Sequence, residues 1–173
     1  MIVARLRRCP IVWSLVVLCI GCASPARVDD AFPPARAADP WILDEAVWSG
    51  TFDEAATALG DDAAALAPLG PRRVWIARYR HDSEPRALVA RGLALADVEA
   101  ARLAYHAACP TQGREFDRGD EGCWTDVGVA FRRDRLIIEV FGQPPSWAST
   151  VQAAVLATYI DRRLTPQALA GLP

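Results

Sequence analysis

The sequence predicts an α+β domain in which helices pack on a small, largely antiparallel sheet of three or four strands. The first observation is a pair of runs around Arg133-Asp134 in which apolar and polar residues alternate, a pattern typical of a hairpin. The second is the helical spacing of apolar residues over 95–108 and 151–160. The 152 residues that follow position 21 have the usual size of a single domain, and no internal repeat divides them.

The first elements of the domain are predicted to be helical. Apolar residues recur at helical spacing over 41–59, with a break at 49–51. Thr51 is a suitable N-cap, and Glu54 three residues later completes a capping box. A second short helix is predicted to run as far as Leu66.

The middle of the chain predicts strands and one further helix. β-branched and aromatic residues over 74–80 indicate a strand whose odd-numbered residues share one face. Residues 87–90 fit either a returning strand or one helical turn, and we favour the strand. The helix over 95–108 cannot continue through Pro110.

The last third of the domain predicts a hairpin followed by a long helix. The alternating runs over 127–132 and 136–141 form the hairpin. Ser146 or Ser149 is expected to cap the helix. Because this helix is apolar on most sides over 151–160, it is expected to be largely buried.

The N-terminus has the features of an export signal. Three arginines precede an apolar run over 11–20 that is shorter than the about 20 residues needed to cross a bilayer. Gly21-Cys22 ends this run and resembles the lipobox of bacterial lipoproteins, with Cys19 where leucine is usual. The resemblance implies a signal peptide over 1–21 and a lipid on Cys22.

This resemblance sets the expected organisation of the mature chain. Residues 22–40 are expected to form the lipidated cysteine and a flexible tether rich in Pro and Ala, and residues 41–173 a single globular domain. The expected partner is the membrane, through Cys22. The expected location is the bacterial cell envelope. Ala23 after the cysteine favours the outer membrane, with the domain facing the periplasm or the cell surface.

Charge argues against a nucleic-acid partner. Loss of residues 1–21 removes three arginines and no acidic residue, so 16 arginines face 21 Asp and Glu, a net charge of −5. Such a chain is not expected to bind nucleic acid through bulk charge.

Two cysteines remain once Cys22 carries a lipid. Because the compartment is oxidising, a disulfide between Cys109 and Cys123 is expected. The alternative is a metal or thiol site, because His106 and Cys109 lie three residues apart on one helix. Cys123 and His81 would complete its four ligands.

Arginines and tryptophans are the candidates for partner contacts. Arg78 and Arg80 are expected on one face of the strand, where they could bind an anion or an acidic partner, or simply protect an exposed edge. Trp124 and Trp147 flank the hairpin and would be binding anchors if exposed, although burial in the core is the commoner outcome.

The hairpin itself resembles the central hairpin of TPM domains, which are α/β modules of the bacterial envelope. The resemblance covers residues 128–142, from Gly128-Val129 to Phe141-Gly142. The Gly-Tyr-Gly-Leu-Glu stretch that follows this hairpin in TPM domains is replaced here by residues 143–147. The resemblance therefore implies an envelope module but no catalytic or metal-binding residue.

These observations favour a membrane-anchored envelope lipoprotein that acts as a non-catalytic interaction or assembly module, with an envelope protein as a possible partner. No constellation of acid, base and nucleophile is evident, and no cofactor is expected. The alternative is a small hydrolase or metal-binding protein that uses His106, Cys109 and Cys123.

Overall fold

The computed structural model describes residues 27–34, 40–109 and 114–173, so the predicted signal peptide, Cys22 and residues 35–39 lie outside the described part. The described chain is an α+β fold with seven antiparallel strands and five helices. In chain order its elements are β1 (Trp41–Leu43), β2 (Trp48–Gly50), α1 (Phe52–Leu59), α2 (Asp62–Leu66), β3 (Arg73–His81), β4 (Ala87–Ala94), α3 (Val98–Ala108), β5 (Glu121–Trp124), β6 (Gly128–Arg133), β7 (Leu136–Gln143), α4 (Trp147–Arg163) and α5 (Pro166–Ala170), with short 3-10 turns at Val28–Ala31 and Ala67–Leu69.

The sheet is larger than the three or four strands predicted. Its order is β1-β3-β4-β7-β6-β5, and β2 pairs with β3 beyond the end of β1. The prediction of a helix that begins at Trp41 is wrong. Strands β1 and β2 occupy that stretch and pair with the edge of β3. Each has three residues, which is too short for strand alternation to show in the sequence.

The longer predicted elements are confirmed. Strand β3 has its odd-numbered core residues on one face, and the ambiguous segment from residue 87 is strand β4. The hairpin is β6 and β7, with Asp134 in the left-handed region at φ 54°. Thr51 and Glu54 form the expected capping box of α1.

The sheet is covered on both faces. One face, which we call the α4 face, packs against α4, α5 and the 3-10 turn at Val28–Ala31. The other, the α3 face, packs against α1, α2 and α3. Successive strand residues alternate between the two core layers, as in Val74 on the α3 face and Trp75 on the α4 face.

The segment at 27–34 differs from the expected flexible tether, because it packs on the α4 face of the sheet. Val28 and Phe32 are 4% and 3% exposed. The Trp75 indole donates to Asp29 Oδ1 at 2.5 Å, and the Tyr79 hydroxyl donates to the Pro33 carbonyl at 3.2 Å. Two larger apolar residues suffice here because they enter a core that already exists.

Helix α4 is less buried than predicted. Its inner side packs on β6 and β7, but four large residues on its outer side are exposed. We call them the α4 stripe: Trp147, Val151, Val155 and Tyr159. No helix in the described ranges is long and apolar enough to span a membrane.

Candidate functional site

The predicted disulfide is confirmed. Cys109 directly follows α3 and Cys123 lies in β5, with their sulfurs bonded and their Cα atoms 6.0 Å apart. The bond ties the C-terminal end of α3 to the edge strand of the sheet. It also closes the polar loop that separates these two elements.

The structure does not bring the residues of the alternative metal or thiol site together. Both sulfurs are in the disulfide, so neither is a free thiolate. His106 Nε2 lies 3.9 Å from Glu121 Oε1, whereas His81 packs edge-on against Trp41, in the core of the α4 face. Among the described residues, no group of three or more metal-ligating side chains could hold an ion.

Arg78 and Arg80, which were predicted to share one face of their strand, both lie on the α3 face of β3. Both side chains are exposed. The Arg80 guanidinium Nε lies 3.2 Å from Oδ1 of Asp44, the residue that follows β1, and the two form an ion pair. Arg78 instead lines a small cavity beside Leu59 and Val89. The two arginines therefore differ, because the charge of Arg80 is balanced and Arg78 borders a concave surface.

That cavity adjoins a larger groove on the α3 face. The groove has a volume of about 480 Å³ and is lined by residues of α2, α3, β4, β6 and β7 and of the loops beside them. We call the two together the sheet groove. Its apolar walls include Val127 and Phe141, and Gln143 borders both cavities.

A charged pair that was not among the residues predicted from the sequence forms the floor of the sheet groove. Arg91 on β4 lies opposite Glu139 on β7 and donates from Nε to Glu139 Oε2 at 2.7 Å. Its Nη1 atom donates to Asp62 Oδ2 at 2.8 Å, and its guanidinium lies over the Phe141 ring at 5.6 Å.

The environment of Arg91 keeps it charged. Burial alone lowers the pKa of its guanidinium, but the adjacent carboxylates of Glu139 and Asp62 raise the pKa above its usual value. Each nitrogen of the Arg91 guanidinium at the floor of the groove lies within 2.8 Å of a carboxylate oxygen of Glu139 or Asp62. Arg78 is then the guanidinium at this surface for which the described structure shows no carboxylate within ion-pair distance.

A second surface lies at the start of α4. Trp147, 71% exposed, stacks on Trp124 with their ring centroids 6.4 Å apart. Arg114 lies over the Trp124 ring at 5.5 Å, and Phe116 packs edge-on against the same ring. Of the two tryptophans considered as binding anchors, Trp147 is thus exposed, and Trp124 packs beneath it.

Comparisons with known proteins give no match of any kind: no family model, no characterised protein and no solved structure matches this chain. A function must therefore be argued from its own residues.

Proposed function

We propose that this protein is a lipid-anchored module of the bacterial cell envelope that binds a protein partner and catalyses no reaction. The lipid would be carried by Cys22, and the outer membrane is the expected site. The observation that carries the binding role is the sheet groove, in which an apolar wall adjoins the exposed guanidinium of Arg78.

The groove suits an extended segment that carries a carboxylate. Its walls offer Phe141 and Val127 for apolar contact, and the Gln143 amide can both donate and accept hydrogen bonds. Arg78 can form two parallel hydrogen bonds with a carboxylate. Arg91 is less suited to this purpose, because the carboxylates of Glu139 and Asp62 already balance its charge.

The alternative function, a small hydrolase or metal protein built on His106, Cys109 and Cys123, has less support. A disulfide sulfur is neither a nucleophile of the thiolate kind nor a metal ligand. We therefore retain the interaction module as the proposed function.

A site-specific photo-crosslinker at Ala58, an exposed residue of α1 that lines the small cavity beside Arg78, tests this proposal in cells. We expect crosslinking to a discrete envelope protein. The Arg78→Glu variant should abolish the adduct, because it places a carboxylate where the partner's carboxylate would bind. Arg72→Glu is the matched control, since Arg72 is also exposed but lies outside the groove.

The two variants separate the possible outcomes. An adduct that Arg78→Glu removes and Arg72→Glu preserves supports the groove as the partner site. Equal adducts in both variants, or none with the parent chain at full expression, would contradict it. Conversion of an added small substrate at a rate proportional to the concentration of the purified protein would contradict the non-catalytic assignment.

A further inference from the structure

The outer side of α4 is unusual for an exposed helix surface. No charged residue occurs from Trp147 to Ile160, although the residues of the α4 stripe are 71%, 38%, 46% and 42% exposed. They are spaced by four, so they form one ridge along the helix, about 18 Å long. A ridge of this kind that stays open to water is a candidate contact surface.

The stripe begins and ends with an amphipathic aromatic residue. Trp147 and Tyr159 have apolar rings with a polar group, the combination that is enriched where protein meets the headgroups of a bilayer. Near its end the helix carries Arg162, an exposed residue whose long side chain can lie along an apolar surface while its charge reaches the headgroups.

Charge is distributed unevenly between the two helical layers. Helices α4 and α5 contain one acidic residue, Asp161, whose side chain is 9% exposed and lies 2.7 Å from Arg133. Arg118 lies beside the stripe, with its Nε atom donating to Thr158 at 3.1 Å. The helices on the opposite face carry four carboxylates, at Asp53, Glu54, Asp62 and Glu99. The helices on the side away from the stripe therefore carry more carboxylates than α4 and α5 do.

The N-terminal segment fixes where the anchor leaves the domain. The turn at Val28–Ala31 packs against α4, and the Arg163 guanidinium donates to the Asp30 carbonyl at 2.9 and 3.1 Å. Only five peptide units separate Arg27 from Cys22, a distance of about 18 Å at full extension. A lipid on Cys22 therefore holds the α4 side of the sheet close to the bilayer.

We propose that the α4 stripe lies on the surface of the membrane in which Cys22 is anchored, so that the sheet groove on the opposite face points away from it. This inference rests on the proposed lipid anchor. The occupant is the lipid surface rather than a second copy of the chain. A single ridge that is about 18 Å long and one side chain wide has an area far below the about 800 Å² per partner that stable protein interfaces bury.

Environment-sensitive fluorophores test this orientation on the full, lipidated chain. One variant carries the dye at Val155→Cys, in the middle of the stripe. The matched control carries it at Thr57→Cys, an exposed position on α1 of the opposite layer. Both are reconstituted in vesicles of phosphatidylethanolamine and phosphatidylglycerol that contain doxyl-labelled lipid.

We expect the dye at residue 155 to shift to the blue and to lose most of its emission through doxyl quenching, while the dye at residue 57 changes in neither respect. A second stripe position, Val151→Cys, should behave like residue 155. Equal, solvent-like emission at both sites in lipidated protein would overturn the orientation but leave the anchor intact. Shielding of residue 155 that rises with protein concentration without vesicles would overturn it in favour of self-association.

The mass of the exported chain separates this inference from the proposed function. A chain that carries acyl groups on Cys22 but shows no quenching contradicts the orientation alone. A chain without acyl groups contradicts the anchor and, with it, the orientation.

Discussion

Two buried polar side chains of the described residues, Arg132 and Tyr79, each have specific partners. Arg132, 8% exposed, binds Glu121 at 2.7 Å and Asp120 at 3.1 Å, and it also donates to the Asp134 carbonyl. Its three contacts join strand β5 to the turn of the β6–β7 hairpin. Tyr79, 1% exposed, has the Pro33 carbonyl as its partner, so one side chain of the sheet holds the N-terminal segment in place.

Substitution of Tyr79 tests this contact and a pH dependence. At neutral pH, Tyr79→Phe should lower the free energy of unfolding by about 1 kcal/mol, because the Pro33 carbonyl loses its donor. Burial raises the pKa of Tyr79 above its usual value of 10.0. Above about pH 10 the unfolded chain then releases a proton that the native chain retains, so wild-type stability falls as the pH rises.

Urea denaturation between pH 8 and pH 11 measures both effects. The stability difference between wild type and Tyr79→Phe should shrink as the pH rises, since phenylalanine has no proton to lose. Burial also raises the pKa of Tyr105, so the variant keeps part of the alkaline loss. If the stability difference stays constant over this pH range, folding does not raise the pKa of Tyr79.

At the scale of elements, the disulfide compensates for a weak edge. Strand β5 has four residues, and within the described ranges it pairs with β6 and forms one isolated bridge, between Glu115 and Cys123. The bond between Cys109 and Cys123 attaches this strand to α3. It limits the freedom of the intervening loop in the unfolded chain, which is the main way that such a bond stabilises a fold.

Loss of the disulfide should destabilise the domain without changing its topology. For a loop of this length the chain-entropy argument gives about 3 kcal/mol, so the paired variant Cys109→Ser/Cys123→Ser should unfold at a clearly lower urea concentration. Wild-type protein with reductant should match the variant. A stability loss in reductant that the variant also undergoes would show that the reductant acts elsewhere.

The elements that could be predicted are those whose patterns are long enough to be distinctive. The alternation in β6 and β7 and the capping box at Thr51 are local signals, and both are confirmed. Strands β1 and β2 were missed because their pairing depends on the distant edge of β3. The exposure of α4 was missed because Val151 and Val155 are apolar like the residues it buries, and only the finished packing distinguishes them.

The candidate site shows the same limit. The disulfide followed from the cysteine count and the expected compartment, but the Arg91–Glu139 pair depends on the register of β4 against β7. One sequence signal could have found the pair. Arg91 and Glu139 are charges of opposite sign that interrupt two otherwise apolar strands, which is typical of inward-facing partners.

At the scale of the whole molecule, the N-terminal segment decides how far the domain stands from its proposed anchor. As a tether running to Pro40 it would have 18 residues between Cys22 and the domain and a reach of about 60 Å. As part of the core from Arg27, it leaves about 18 Å. The shorter reach favours action close to the bilayer, with the sheet groove directed outward.

Substitutions within this segment distinguish the two arrangements. Phe32→Ala should lower the free energy of unfolding by about 3 kcal/mol, because it empties part of the core beneath α4. Arg27→Ala is the matched control from the same segment. Its side chain is 64% exposed and its ion pair with Asp29 lies at the surface, so it should change stability by less than about 0.5 kcal/mol. Chemical denaturation of the two exported variants gives both numbers. Equal stabilities would mean that residues 27–34 behave as a tether in solution, and the anchor would then no longer hold the α4 side of the sheet against the membrane.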